Sequence, residues 1–581
     1  MRDVSETKTV VSREVTVTNP YLHLPVRYDA SCGLMRILIA GVTQQKFAVK
    51  LSGKDPDYVV FADLTRYQGQ QVKLSYESVS ATHHELENLT FSEILLDNEK
   101  PYSEKYRPLY HFSTRRGFIN DPNGLVQYGG EFHLFYQHNP FGTDIGYDLK
   151  SWGHAISKDL LHWQEYGPAL LPDEHGAMYS GSAVVDWHNT SGFQEGSAPP
   201  LVALYTADGR SADEERPFTQ CLAYSNDYGR NWKKFSDNPI IQHIGGLNRD
   251  PRVLWHQPSK SWALVLYIEQ DVFSIFTSKN LRDWKRKQDI KLDSYDCPDL
   301  FQLQVEGSNE SRWIFWTANT KYLIGNFDGN QFRIDKDFPH EGVQQQQLGS
   351  SYAAQTWSNM PETDNRIIQI SWLRTTSPGM PFTHCMTFPY ELSLKQTRQG
   401  LRLFSNPING LESLRKNHLK CDPFKLDPQS LTGPKAPFRG KPTLLGHDSL
   451  NHAVRWASYP LFELSDSADI EAVFEVGYGA SVAVIIRGFW VIYDSQESIL
   501  LCANGRTKLM GKSVFTEVVN NSIKFRVLLD RLSIEIFVND GEIVFPFGYL
   551  PEDDSRDLSV AVRGGTADLQ AFNVWEIETI W

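Results

Sequence analysis

Ser157-Lys158-Asp159-Leu160-Leu161-His162-Trp163 recurs, one residue longer, as Ser225-Asn226-Asp227-Tyr228-Gly229-Arg230-Asn231-Trp232, and again as Ser278-Lys279-Asn280-Leu281-Arg282-Asp283-Trp284. The closing tryptophans are 69 and 52 residues apart, an interval that suits a four-stranded blade carrying variable loops. Around these repeats, from about 108 to 405, the chain reads as short β runs with turn signals and almost no helical periodicity. That combination predicts an all-β fold built as a β-propeller. The competing reading is a β-sandwich in which Ser-Asp-Trp turns coincide.

Outward from the repeats the chain divides into further β units. Residues 1–103 alternate apolar and polar positions in short pieces, as in Val15-Thr16-Val17-Thr18 and Val72-Lys73-Leu74-Ser75-Tyr76, and read as a small N-terminal β module. A charged stretch from Asn98 to Pro108 reads as its linker into a domain at 108–405. A helical signal at Asn409-Gly410-Leu411-Glu412-Ser413-Leu414-Arg415-Lys416 marks a second linker, 406–418. Residues 419–581 form another all-β segment, in which Leu532-Ser533-Ile534-Glu535-Ile536-Phe537-Val538 runs into the hairpin turn Asn539-Asp540-Gly541.

Composition limits the function classes. A chain of 581 residues calls for two or three domains, and 41% hydrophobic with 22% charged residues is a globular balance. A net charge of -13 argues against a nucleic-acid partner, whose phosphates require clustered cations. The 15 Trp and 25 Tyr offer rings for stacking on carbohydrate, or simply for a core. Six scattered cysteines without a C-x-x-C pair indicate neither a zinc site nor a disulfide framework. No apolar run is long enough to span a membrane. The polar N-terminus lacks the apolar stretch of a signal peptide, so the chain as written is expected in the cytoplasm; a secreted protein with its leader removed reads the same way.

Three acidic side chains sit beside Pro or Cys at turn-like points of the propeller segment: Asp121 in Asn120-Asp121-Pro122-Asn123-Gly124, Asp250 in Arg249-Asp250-Pro251, and Asp296 in Tyr295-Asp296-Cys297-Pro298-Asp299. Pro and Gly around Asp121 predict a rigid strand-end turn ahead of a half-buried hairpin. Singly, each acid is an ordinary turn residue. Successive blades, however, bring distant residues to one axial pocket, and glycoside cleavage needs paired carboxylates. One attacks the anomeric carbon; a second, its pKa raised by the first charge, protonates the departing oxygen. A third, held ionised by a neighbouring Arg, grips sugar hydroxyls.

Together these stretches resemble glycoside hydrolase family 32, the invertases, inulinases and levanases. The family's W-M-N-D-P-N-G is similar to Phe118-Ile119-Asn120-Asp121-Pro122-Asn123-Gly124, its R-D-P to Arg249-Asp250-Pro251, and its F-S-G-S to Tyr179-Ser180-Gly181-Ser182. Its C-terminal β-sandwich is similar to the stretch from Asp530-Arg531 to Gly541. The resemblance implies a five-bladed propeller followed by a β-sandwich, and a retaining β-fructofuranosidase that acts on sucrose or fructans without a metal or organic cofactor. It also implies Asp121 as nucleophile, Asp250 as transition-state stabiliser and Asp296 as acid/base. Asn120, Gln137, Ser180, Arg249 and Trp372 carry over as sugar contacts, and Tyr147 and Trp152 as substrate-pocket aromatics.

Two positions depart from the family. Its E-C-P-D reads Asp296-Cys297-Pro298-Asp299 here, which draws the acid/base carboxyl one methylene nearer the backbone. Three readings follow: an acid in a pocket shaped around the shorter chain, an engineered or impaired variant, or a protein that binds fructan without cleaving it. The family's W-G-x-x-x-W-G-H reads Tyr147-Asp148-Leu149-Lys150-Ser151-Trp152-Gly153-His154, placing a Tyr where a pocket Trp is expected. This bears on the balance between water and sugar as acceptor, so a fructosyltransferase is the alternative enzyme. Homo-oligomerisation stays open, and the N-terminal module reads as a shield or a self-association surface.

Overall fold

The computed structural model describes residues 8–94, 102–336, 344–361, 364–429, 443–447, 454–505, 508–514, 518, 521–551 and 554–581. The start of the first linker, Asn98 to Pro101, lies outside them.

Among the described residues, the N-terminal module is two small antiparallel sheets. One runs in the order Thr9–Thr16, Gln71–Ser78, Gly33–Ile39, Val42–Val49; the other is Tyr58–Asp63, Tyr21–Val26, Thr90–Ser92. The period-two pattern explains the packing. Val72, Leu74 and Tyr76 of Gln71–Ser78 point inward, against Leu22, Leu24, Met35 and Ile37. Fully burying each such aliphatic side chain contributes about 1.5–3 kcal/mol.

Among the described residues, five four-stranded antiparallel units follow, three of them with a further two-residue strand at the side, and their innermost strands are Gly117–Tyr128, Ala177–Val185, Arg249–His256, Asp299–Gln304 and Ser351–Thr356. The innermost strand of the fifth unit lies against that of the first, with Ser358 bridging Val126 in parallel, so the ring of blades closes. The Ser-Asp-Trp repeats occupy equivalent places, joining the third and fourth strands of the first three blades. Their chemistry is local. Leu160 N–H donates to Ser157 Oγ (2.8 Å) and His162 N–H to Asp159 Oδ1 (2.9 Å); Gly229 N–H to Ser225 Oγ (2.9 Å) and Asn231 N–H to Asp227 Oδ1 (2.9 Å) do the same in the second blade. Such side-chain acceptors replace the backbone partners a tight turn lacks. In the second and third blades the closing indole caps the turn, from Trp232 to Gly229 O and from Trp284 to Leu281 O.

The stretch around Asp121 differs from the expected turn. Asn120 to Gly124 lie inside the twelve-residue strand Gly117–Tyr128, and the hairpin turn comes later, at Gly129-Gly130. The register against Glu131–Asn139 slips between Ile119 and Pro122 and again between Asn123 and Val126. Pro122 offers no N–H to the ladder and Gly124 takes φ +54°, so these residues make two bulges instead of a reversal. A Cβ on Gly124 would come within 2.8 Å of the Phe135 ring.

The predicted helix is a 3-10 turn, Asn409–Leu414, and the next strand, Arg415–Cys421, begins inside the stretch read as linker. Beyond it two seven-stranded sheets pack face to face around Ile470, Phe474, Val527, Ile534, Phe545 and Val560. Ser533–Val538 pairs with Ile543–Gly548 across Asn539, Asp540 and Gly541, all at positive φ. The seam with the propeller is polar and buried. Asp530 accepts the backbone N–H groups of Leu109, Tyr110 and His111, and its Oδ2 lies 2.8 Å from His111 Nδ1. Burial alone would lower the His111 pKa, but Glu535 and Asp530 outweigh it and push it up to about 9.

Candidate active site

Because each blade begins with its innermost strand, the first residues of those strands gather at one end of the ring. Asp121 comes from the first blade, Ser180 from the second and Asp250 from the third; Asp296 and Cys297 immediately precede the fourth, and Tyr352 opens the fifth. Gln137 and Trp372 reach the same end from the last turns of the second strands Glu131–Asn139 and Ile367–Leu373.

Asp121 is the most heavily solvated by protein donors. Ser180 Oγ donates to its Oδ2 at 2.6 Å, Gln137 Nε2 donates to the same oxygen at 3.3 Å, and Asn120 Nδ2 donates to Oδ1 at 3.0 Å. Gln137 is itself fixed, taking a bond from Asn120 at 3.2 Å and giving one to Ser180. These donors hold the carboxylate in one orientation.

Asp250 is 5% exposed and its φ is +67°, a backbone state that costs a non-glycine residue on the order of 1 kcal/mol or more. Thr206 Oγ1 accepts its N–H at 2.9 Å and Cys297 N–H donates to its Oδ2 at 3.1 Å, which holds the strained residue in place. The Cys297 thiol donates to the same oxygen at 3.4 Å and lies 3.7 Å from Asp121 Oδ2, so one residue touches two of the carboxylates. The expected Arg is present toward the outer limit of ion-pair distance: Arg249 Nε stands 3.7 Å from Asp250 Oδ2. Burial is the largest influence, opposed by Arg249 and reinforced by Asp296 and Asp121, and the Asp250 carboxyl is pushed up to about 7.

Arg249 instead forms a close ion pair with Asp296 Oδ1, and Tyr352 OH donates to Asp296 Oδ2 at 2.7 Å. Burial raises the Asp296 pKa; Arg249 and Tyr352 oppose the shift and Asp121 adds to it. Asp296 and Cys297 both take positive φ, 60° and 37°. Asp299, the last acid of that motif, is structural. It is fully buried, pairs with Arg252 Nε at 2.7 Å and accepts Thr356 N–H at 2.8 Å, tying the third, fourth and fifth blades together.

Trp372 stands edge-on to Phe118, His384 and Tyr352, with the Arg374 guanidinium 4.5 Å above its ring. Its indole N–H and Asn120 Oδ1 are buried without a hydrogen-bond partner among the described residues.

Two expected pocket aromatics lie elsewhere. Trp152 is fully buried between the first and second blades, packed on Phe135 and donating to Tyr179 O at 2.9 Å, so it is core. Tyr147 is half exposed and turns its hydroxyl to the N-terminal module, donating to Cys32 O at 2.7 Å. Conversely, Cys297 and Tyr352 were not anticipated as site residues. Cys297 is visible beside Asp296, but a lone thiol signals no chemistry; Tyr352 has no local motif and is brought in only by the ring of blades. A cavity of about 360 Å³ lined by Trp187, Trp255, Trp313 and Trp357 lies at the opposite ends of the innermost strands and holds none of the three carboxylates.

The chain is similar to known proteins over most of its length. The family model described as the glycosyl hydrolases family 32 N-terminal domain matches residues 111–407, and that described as glycosyl hydrolases family 32 C terminal matches residues 465–576. The levanase of Bacillus subtilis (strain 168) is 34% identical over 507 residues, covering 83% of this chain and 72% of that protein. The extracellular exo-inulinase of Aspergillus awamori is 29% identical over 540 residues, covering 83% and 96%. A crystal structure of exo-inulinase from Aspergillus awamori superposes with a TM-score of 0.70 at 26% identity, over 83% of this chain and all of that one. The family models begin beyond the N-terminal module.

Proposed function

The chain belongs to glycoside hydrolase family 32, and from that premise we propose that it is a β-fructofuranosidase hydrolysing sucrose or fructans at this carboxylate pocket. The observation that carries the reading is the convergence of Asp121, Asp250 and Asp296 from separate blades, joined through Cys297 and Arg249. Levanase and exo-inulinase are the names of relatives, and both support a reading in which fructosyl bonds are cleaved.

The chemistry follows the two-carboxylate scheme of retaining glycosidases. Asp121 attacks C2 of the terminal β-fructofuranosyl unit as the bond from C2 to the glycosidic oxygen breaks. Asp296, in its protonated form, delivers its proton to that oxygen and becomes a carboxylate. Water then attacks C2 of the fructosyl ester, Asp296 takes the water proton, and Asp121 is released. Ser180, Gln137 and Asn120 keep Asp121 aimed at C2 throughout. Asp250 and Arg249 bind hydroxyls of the fructosyl ring, while Trp372 walls the pocket and offers its unpaired indole N–H. Asp296 is read here as an acid in a pocket built to its length, because Arg249 and Tyr352 each engage one of its oxygens.

Product analysis tests the proposal. Sucrose, inulin and levan are incubated with the protein and with Asp121→Ala. Free fructose from the unaltered chain, absent from the variant, is the expected outcome. Oligosaccharides longer than the substrate as the main product would replace hydrolysis by fructosyl transfer, and binding without any release would leave a carbohydrate-binding protein.

A further inference from the structure

The N-terminal module does not stand apart from the propeller. Its edge strand, Val42–Val49, and the residue that follows touch two loops at the carboxylate end of the ring. The first loop joins the second and third strands of the first blade, running from Asn139 to Ser151. Phe47 stacks on its Phe141 with ring centroids 3.7 Å apart, Lys50 Nζ pairs with Asp144 at 2.8 Å, and Tyr147 OH donates to Cys32 O at 2.7 Å. The second loop is its counterpart in the second blade. There Lys46 Nζ donates to Ser211 O at 3.0 Å and pairs with Asp213 at 2.7 Å.

The two loops meet beside the nucleophile. Asp148 of the first accepts the Tyr179 hydroxyl and pairs with Lys150 at 3.0 Å, and Arg210 of the second donates to the same Tyr179 hydroxyl at 3.1 Å. Tyr179 adjoins Ser180, whose hydroxyl holds Asp121. On its other side the first loop accepts Thr383 Oγ1 at Thr143 O (2.8 Å), next to His384, which packs on Trp372. Its stem leaves the sheet two residues after Gln137. Gly146, Tyr147 and Asp148 run at φ 55°, 54° and 63°, a conformation that Tyr and Asp keep only when their surroundings enforce it. The module supplies part of that enforcement.

We propose that the N-terminal module is a specificity element: by clipping these two loops together it shapes the rim of the pocket on the leaving-group side and adds contact for a polymer chain beyond the fructosyl unit being cut. This rests on the fructofuranosidase reading of the carboxylate pocket. Sucrose places a single ring beyond the scissile bond, whereas an inulin or levan chain continues outward past the loops. A loosened rim therefore weakens polymer use more than sucrose use. Lys46 and Lys50 are positioning residues that act through Asp213 and Asp144.

The test is the paired reversal Lys46→Glu and Lys50→Glu in the full chain, assayed on sucrose, inulin and levan. The expected result is a fall in kcat/KM for both polymers of about five-fold or more, carried by KM, with sucrose within about two-fold of the unaltered protein. Adding Asp213→Lys restores part of the polymer activity, which a loss of folding would not permit. An equal fall on all three substrates, or an unchanged ratio between them, overturns the proposal. An unaltered chain that releases fructose from none of them would instead sink the reading of the pocket itself.

Discussion

Ser180 and Asp121 lie on the innermost strands of neighbouring blades, 59 residues apart in sequence, and are joined by a 2.6 Å hydrogen bond. A charge-assisted bond of this kind is worth about 1.5–3 kcal/mol, and here it fixes the orientation of the Asp121 carboxylate. Ser180→Ala should lower kcat by about ten-fold or more, while Asp121→Ala removes turnover by about 10⁴-fold or more. Steady-state fructose release from sucrose measures both, and comparable losses in the two variants would contradict the supporting role of Ser180.

Asp296 is embraced by Arg249 and Tyr352, so a longer side chain has to displace one of them. Asp296→Glu is expected to lose on the order of 100-fold in kcat, as a misplacement of about 1 Å costs. Asp296→Ala should lose between about 10² and 10⁴. Higher activity in the Glu variant would show that the Asp is a disabling change.

Tyr352 donates to Asp296 and so stabilises its carboxylate. In Tyr352→Phe that support is gone, the Asp296 pKa rises, and the protonated acid persists to higher pH. The alkaline limb of kcat/KM against pH therefore moves upward. A downward move would rule out Asp296 as the acid.

Burial raises the Asp250 carboxyl from an ordinary value of 3.8 to about 7. Between those values the folded protein binds more protons at this site than the unfolded chain, so stability at this site falls as pH rises. Asp250→Asn carries no such penalty. Its Tm is expected to gain on the unaltered protein from about pH 4 to about pH 7 and to hold that margin above, while activity is lost. Thermal melts across that range decide it, and a pH-independent difference would count against the shift.

His111 follows the same sign over a higher pH range. Its pKa rises from 6.5 to about 9 between Asp530 and Glu535, so its contribution is complete below 6.5 and is lost as pH climbs through 9. Relative to His111→Gln, the unaltered protein should show its greatest Tm advantage below 6.5 and a shrinking one toward pH 9. A constant offset would assign the seam to packing alone.

What could be read in advance follows from the range of the interactions involved. The Ser-Asp-Trp turns were legible because their hydrogen bonds close within seven or eight residues. Asp121, Asp250 and Asp296 were legible because each sits in a short motif. The stretch around Asp121 was legible as irregular backbone but not as bulges, since Pro and Gly favour either, and only pairing with Glu131–Asn139 selects. Trp152 carried an aromatic motif whose side chain the neighbouring blade covers, and that cover comes from residues as distant as Tyr205.

By itself, then, the amino-acid sequence determined the all-β class and the blade repeat and singled out three acids in short motifs as candidates, because short-range hydrogen bonding and side-chain chemistry are properties of neighbouring residues. The tertiary structure alone decided that Cys297 bridges two carboxylates, that Arg249 pairs with Asp296 more closely than with Asp250, and that Tyr147 faces the N-terminal module. Those outcomes depend on the closure of the ring and the docking of the module, which bring together groups as far apart as 176 residues along the chain and bury them where charge interactions are strong.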